Sequence, residues 1–240
     1  MKKINVLGYE VCDTTYTELL EEINSIISSS QRGVVIALNP NKIMLARKDE
    51  KIHEILLKSE LLIPDGTGIL FAAKHAKTPI ENRITGVGLF EEMCKEGNLT
   101  GGNFFLYGAR EGVAEAARLA LQQNNPAIKI SGWLDGYSDM NDSRLEQINN
   151  SGANILAVAL GSPKQELWID ENFDKLQNIK VFIGVGGAFD VISGRIKRAP
   201  KWIRKAGLEW IYRIVLQPFA RFKHLFMLTR FCFVVLSRKK

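Results

Sequence analysis

The 240-residue chain has only three cysteines, Cys12, Cys94 and Cys232, far apart and odd in number. They form neither a disulfide framework nor a metal knot, and a reducing compartment is expected. The three histidines, His53, His75 and His224, stand alone with no Cys or His at ligand spacing, so none is assigned to a metal or to catalysis. Asp-x-Asp, the usual metal clamp on a nucleotide-sugar diphosphate, is missing. So is GxxxxGK[ST], which leaves phosphoryl transfer from ATP without support. GAREG and GVGG are glycine-rich, yet neither is GxGxxG, and a dehydrogenase reading is weak. The most apolar run of the C-terminal segment, LFMLTRFCFVVL, has 12 residues and contains Arg230, too short and too charged to span a bilayer. The first residues, MKKINVLGYEV, break their apolar run at Gly8 and Glu10 and lack a small-residue cleavage site, so export is not expected.

What is present begins with 46% hydrophobic residues, ample for a core. The net charge of +6 hides an asymmetry. Residues 195–240 hold 13 Lys and Arg against one acid, Glu209, giving +12, while the remainder holds 19 against 25 and carries −6. A body at 1–194 and a basic appendage at 195–240 therefore meet different partners.

Short apolar runs alternate with amphipathic stretches. INVL (4–7), GVVIAL (33–38), LLI (61–63), NFFLYG (103–108), AIKISG (127–132), NILAVAL (154–160) and KVFIGV (180–185) read as strands. TYTELLEEINSII, DEKIHEILLKS and REGVAEAARLALQQ read as helices. The alternation predicts an α/β fold: a Rossmann-like, mostly parallel sheet covered by helices on both faces, with a basic amphipathic helical appendage at the C-terminus.

Ligands of such sheets bind beyond the carboxyl ends of the strands. The residues there are NPNK (39–42), PDGTG (64–68), GAREG (108–112), GSPKQE (161–166) and GVGGAFD (184–190). Glycines that admit close backbone approach, together with fresh helix starts, make anion cradles suited to diphosphates. Two readings stand for Asp65: a helix N-cap, or a general base at the active rim. Two also stand for GSPKQE. Ser162 and Gln165 fit a capping box with Pro163 at the first helical position, and Lys164 with Gln165 could equally meet phosphate or sugar. Arg83 is either a surface arginine or a partner for phosphate.

In the appendage, Val215, Phe219, Phe222, Phe226 and Phe233 recur at helical spacing and form an apolar stripe, with Arg213, Gln217, Arg221 and His224 on another face. A kink is expected at Pro218. A helix lying in the membrane interface, basic residues toward headgroups and phenylalanines inserted, fits this pattern. The alternatives are a helix packed into the core and a coiled-coil face. So many large apolar residues would be costly on a nucleic-acid surface, and no nucleic-acid partner is expected.

The ordered set NPNK, PDGTG, NRITG, YGAREG, GSPKQE, GVGGAFDVISG, RAPKWIRKAGLEWIYR and QPFAR closely resembles the WecG/TagA/CpsF family of bacterial glycosyltransferases (glycosyltransferase family 26) from about Asn5 to about Arg221. Within it the nearest likeness is to the wall teichoic acid N-acetylmannosaminyltransferases. The resemblance implies transfer of N-acetylmannosamine from UDP to the 4-hydroxyl of N-acetylglucosamine on undecaprenyl diphosphate, with inversion to a β linkage. It implies no metal or other cofactor, and a cytoplasmic protein held peripherally on the inner face of the bacterial membrane through its appendage, with a homo-oligomer as an open option. Relatives use other sugars, such as N-acetylmannosaminuronic acid or glucose, and a non-catalytic UDP-sugar-binding membrane protein is the rival from another class. By residue, the resemblance makes Asp65 the general base, and it gives Arg83 and Gln165 to diphosphate and sugar. Ala37, Asn39, Gly66, Gly108, Lys164, Gly186 and Gly187 line the substrate pocket, and Arg213 and Arg221 reach the lipid diphosphate or close the site. One position departs: Ala37 stands where the family usually has threonine, removing a hydroxyl from the expected pocket.

Overall fold

The computed structural model describes all residues except 96–97, 137–141, 201, 204–206, 217 and 238–240, and all of their side chains except those of 210, 213, 216 and 218–225. The chain opens with a hairpin, β1 (Lys2–Val6) and β2 (Tyr9–Asp13), paired antiparallel with Val6 opposite Tyr9. Leu7 and Gly8 both take positive φ, 56° and 102°, as a two-residue hairpin turn requires. The sequence pattern contained the first of these strands and not the second.

Strands and helices then alternate. In order they are α1 (Tyr16–Ser28), β3 (Gly33–Leu38), α2 (Pro40–Ala46), α3 (Glu50–Lys58), β4 (Leu61–Pro64), α4 (Thr67–His75) and α5 (Gly86–Met93). They continue with β5 (Asn103–Gly108), α6 (Val113–Asn124), β6 (Lys129–Leu134), α7 (Asp142–Asn149), β7 (Ile155–Ala159), α8 (Lys164–Asn172), β8 (Val181–Gly184) and α9 (Ala188–Ile192). Two last helices, α10 (Glu209–Leu216) and α11 (Pro218–Ser237), close the chain. The eight strands form one sheet in the order β1-β2-β4-β3-β8-β7-β5-β6, parallel in every pairing but the first.

Period-two burial divides the core. Val35, Ala37, Leu106, Ala157 and Ile183 face α1, α5, α6 and α9, while Ile36, Leu38, Tyr107, Val158 and Phe182 face the opposite layer. Central strands buried on both faces explain the unbroken apolar runs of the sequence.

The final helix joins this core. Phe231 and Val235 are 0% and 2% exposed, packed in the same cluster as Ile36, Leu38 and Ile69, with α11 lying against α2 and α4. The described members of the expected apolar stripe point outward: Val215 on α10 is 71% exposed, and Phe226 and Phe233 on α11 are 59% and 73% exposed. Phe219 and Phe222 lie outside the described side chains. Among its described side chains the helix thus buries Phe231 and Val235 and exposes Phe226, Phe233 and Leu236, a pattern that a single periodicity count does not separate. Pro218 is the first residue of α11, where its missing N–H costs no helical bond. Among the described residues, no helix is long and apolar enough to cross a membrane.

Candidate active site

Parallel strands all deliver their carboxyl ends to one edge, and the sheet order sets what meets there. After β5 the chain turns outward to β6, whereas after β7 it turns the other way to β8. The connections leaving the paired neighbours β5 and β7 therefore run to opposite sides, and ligands of such sheets bind at a switch point of this kind. From β4 to β5 the edge carries Asp65, Asn39, Gly186, Lys164 and Gly108 in spatial order. Four strand steps of ~4.8 Å give a rim of about 19 Å, room for an extended nucleotide sugar.

At the switch point the glycines are there for contact. Gly108 has φ +118°, and a Cβ on it would lie 2.7 Å from the carbonyl carbon of Ala159, so only glycine lets β5 close on β7. Ala109 follows at φ 61°, a strained value for a residue with a side chain, and its N–H donates to the Ala159 carbonyl at 2.8 Å. Nearby Tyr107 packs against Trp168 with ring centroids 4.6 Å apart and planes tilted by 45°, and burial first, then the charge of Asp135, pushes its phenol pKa up, so it stays protonated.

Asp65 is half-buried, directly after β4, and its N–H donates to the Leu38 carbonyl at 2.8 Å. The N-cap of α4 is Gly66, with no side-chain cap, so the capping reading of Asp65 does not hold. Gly66 sits at φ 87° and ψ 156°, a region essentially closed to other residues, and this turn aims the chain away from the aspartate into the helix. Arg83 comes up beside the same edge because Ile84 N–H donates to the Pro64 carbonyl at 3.2 Å. The appendage reaches it too: a Cβ on Gly207 would lie 2.5 Å from Thr67 Cγ2 and 2.9 Å from an Arg83 guanidinium nitrogen. The beginning of the basic segment thus lies on the Arg83 side of the rim. Arg213 and Arg221 belong to α10 and α11, with side chains outside the described set.

Asn39 caps α2, its side-chain oxygen accepting the Lys42 N–H at 3.1 Å. Ala37 is 6% exposed beneath the loop that starts α5, where a Cβ on Gly86 would come within 3.1 Å of its own. Lys164 is exposed at the start of α8, and Gly186 and Gly187 are open, with nothing within 4 Å of an added Cβ.

GSPKQE is arranged differently from a capping box. Pro163 is the N-cap of α8 and Lys164 the first helical residue, the Ser162–Pro163 peptide is cis, and no side chain caps the helix. Gln165 is 2% exposed, beneath the rim instead of on it. Its Oε1 accepts the Gly186 N–H at 2.9 Å and its Nε2 donates to Glu166 at 2.8 Å. Sequence reasoning missed Glu166 and its partner Lys42, which form an ion pair of 3.1 Å with side chains 3% and 5% exposed. The available signal was a lysine among the buried positions of the short helix PNKIMLA.

The helices after β4, β5, β7 and β8 begin without side-chain caps, whereas α1, α2, α3 and α5 are capped by Thr15, Asn39, Asp49 and Thr85. Uncapped N–H groups collected at one edge suit an anionic ligand. Among the described residues, no three His, Cys, Asp or Glu side chains come together as a metal cluster.

A sequence model described as the glycosyl transferase WecG/TagA/CpsF family matches residues 4–240. The chain belongs to this family. Among curated WecG/TagA/CpsF relatives, one from Bacillus subtilis (strain 168), named N-acetylglucosaminyldiphosphoundecaprenol N-acetyl-beta-D-mannosaminyltransferase, is 33% identical over 227 residues, 95% of this chain and 87% of its own length. A protein of the same name from Staphylococcus aureus (strain MRSA252) is 33% identical over 217 residues, 89% of this chain and 85% of its own.

Proposed function

We propose that this chain transfers N-acetylmannosamine from UDP-N-acetylmannosamine to the 4-hydroxyl of N-acetylglucosamine on undecaprenyl diphosphate, forming the β linkage with inversion, in wall teichoic acid linkage-unit synthesis. The observation that carries the reading is the 33% identity to the Bacillus subtilis transferase across 95% of the chain.

In this mechanism the diphosphate of the donor lies along the edge between Gly108 and Gly186, with Lys164 and the uncapped N–H groups facing it. Asp65 takes the proton of the acceptor hydroxyl as that oxygen attacks the anomeric carbon, and the bond to UDP breaks on the opposite face. The place of Asp65 directly after β4 at the sheet edge supports this role. Arg83 compensates charge on the departing UDP, and the segment at Gly207 screens it from solvent. Gln165 contributes through Gly186 and not by touching substrate.

The membrane and the inner-face location enter as part of the same proposal. Val215, Phe226, Phe233 and Leu236 are 60–73% or 59% exposed on a segment of charge +12, which suits adsorption to anionic lipid. The same exposed face offers a surface for a second copy away from the membrane.

The test is formation of a disaccharide-diphospholipid from UDP-N-acetylmannosamine and a short-chain N-acetylglucosamine diphospholipid, with a chelator present. Product from the native chain and almost none from Asp65→Asn, with UDP affinity retained, is the expected result. A strict need for Mg²⁺ or Mn²⁺ contradicts the metal-free mechanism. UDP-sugar binding without product supports a binding protein instead.

A further inference from the structure

Beneath the rim runs a buried polar chain that joins three strand ends. Lys42 Nζ donates to the Ala37 carbonyl at 2.8 Å and pairs with Glu166 Oε1 at 3.1 Å. The same carboxylate oxygen accepts from Gln165 Nε2, and Gln165 Oε1 accepts the N–H of Gly186. At its other end, Ala37 precedes Leu38, whose carbonyl holds the N–H of Asp65. Ala37 and Leu38 also stand in register with Ile63 and Pro64 of β4. The glycine at 184 makes room for this arrangement, since a Cβ there would fall 2.4 Å from Gln165 Nε2.

We infer that Lys42 and Glu166 are positioning residues, a buried ion pair that ties the Gly184–Gly187 loop to the strand end bearing Asp65 and so fixes donor loop and base relative to one another. The inference rests on reading this rim as the transferase site. Polarity gives the pair its directing power. A carboxylate only accepts, so Gln165 must turn its NH2 toward Glu166, which leaves the carbonyl oxygen, and never the NH2, facing the Gly186 N–H. Lys42 in turn supplies the counter-charge to Glu166, 3.1 Å from its Oε1. Without the charge at 166, both orientations of the Gln165 amide would be open, and one of them sets two donors against each other.

Stability alone does not account for such a pair. Removing two charges from water costs about as much as their attraction returns, and well-packed apolar residues commonly do as well. Glu166 Oε2, moreover, is buried with no hydrogen-bond partner, a further cost that a purely structural element would shed. What the pair supplies is a single geometry for three loops.

The experiment compares the native chain with Lys42→Met, Glu166→Gln and the double variant Lys42→Met/Glu166→Gln. It reads melting temperature, amide exchange at Gly186 and transfer kinetics. Lys42→Met leaves a lone buried carboxylate and melts lowest, and the double variant, with no buried charge, regains native-like melting. In that refolded double variant, Gly186 loses its exchange protection while β3 and β8 keep theirs. Its kcat stays about 100-fold below native, the scale of a misplacement near 1 Å, with a smaller change in KM for the acceptor. Turnover that returns together with stability, or unchanged protection at Gly186, overturns the inference. A double variant that does not fold overturns it equally, because the pair would then be holding the fold. A native chain that gives no product defeats the transferase reading instead, and exchange at Gly186 still judges the coupling.

Discussion

If α11 belongs to the core, truncating Phe231 must cost the whole molecule stability. This ring is fully buried among residues of α2, α4 and the central strands, and its Cε1 would lie 3.6 Å from a Cβ placed on Gly68. Phe231→Ala withdraws roughly 100 Å² of apolar surface, worth ~2.5 kcal/mol at ~25 cal/mol per Å², and the cavity left behind raises the loss to about 3–5 kcal/mol. In a chain of this size each kcal/mol moves Tm by about 2–4 °C, so a drop of about 6–20 °C is expected. The control is Phe233→Ala: two residues away but 73% exposed, it should change stability by no more than about 0.5 kcal/mol. Thermal melts followed by circular dichroism give the first number, and amide exchange along 218–237 shows whether the helix peels away before the body opens. Equal melting of Phe231→Ala and the native chain, with amides of α11 exchanging freely in both, would refute the packing argument and return the segment to a detached appendage.

Two further outcomes are expected. Gly108→Ala forces a Cβ to 2.7 Å from the Ala159 backbone in addition to an adverse φ, so it should abolish soluble folding or lower Tm severely, while Gly187→Ala, at φ −84° in open space, should fold normally; equal expression and melting of the two would show that the β5–β7 contact is soft. Ala37→Thr is expected to raise turnover without altering the fold, since the new hydroxyl would enter beneath the Arg83–Gly86 loop; equal rates in the disaccharide assay would remove position 37 from the site.

The resemblance and the edge motifs already pointed to Asp65, Asn39, Gly108, Gly186 and Gly187, and the structure sets all of them along one edge. That much was legible because parallel strands must end on the same side, so motifs that follow apolar runs necessarily converge. Local capping was less legible. Asp65 and Ser162 both have good cap chemistry, yet glycine at positive φ took the first cap and proline the second, and cap chemistry alone does not say at which residue the backbone enters the helix.

Sequence by itself determined the class of fold, the strand-helix alternation, the division of charge and the residues that follow each strand, because periodicity and composition record whether a position meets core or water. Only tertiary structure decided which strands are neighbours, that the connections leaving β5 and β7 run to opposite sides, and which apolar side chains of α11 are buried. It alone brought Lys42 to Glu166, 124 positions further along the chain. Periodicity names a face but not its partner, and a buried charge reads like any other until its counter-charge is located in space.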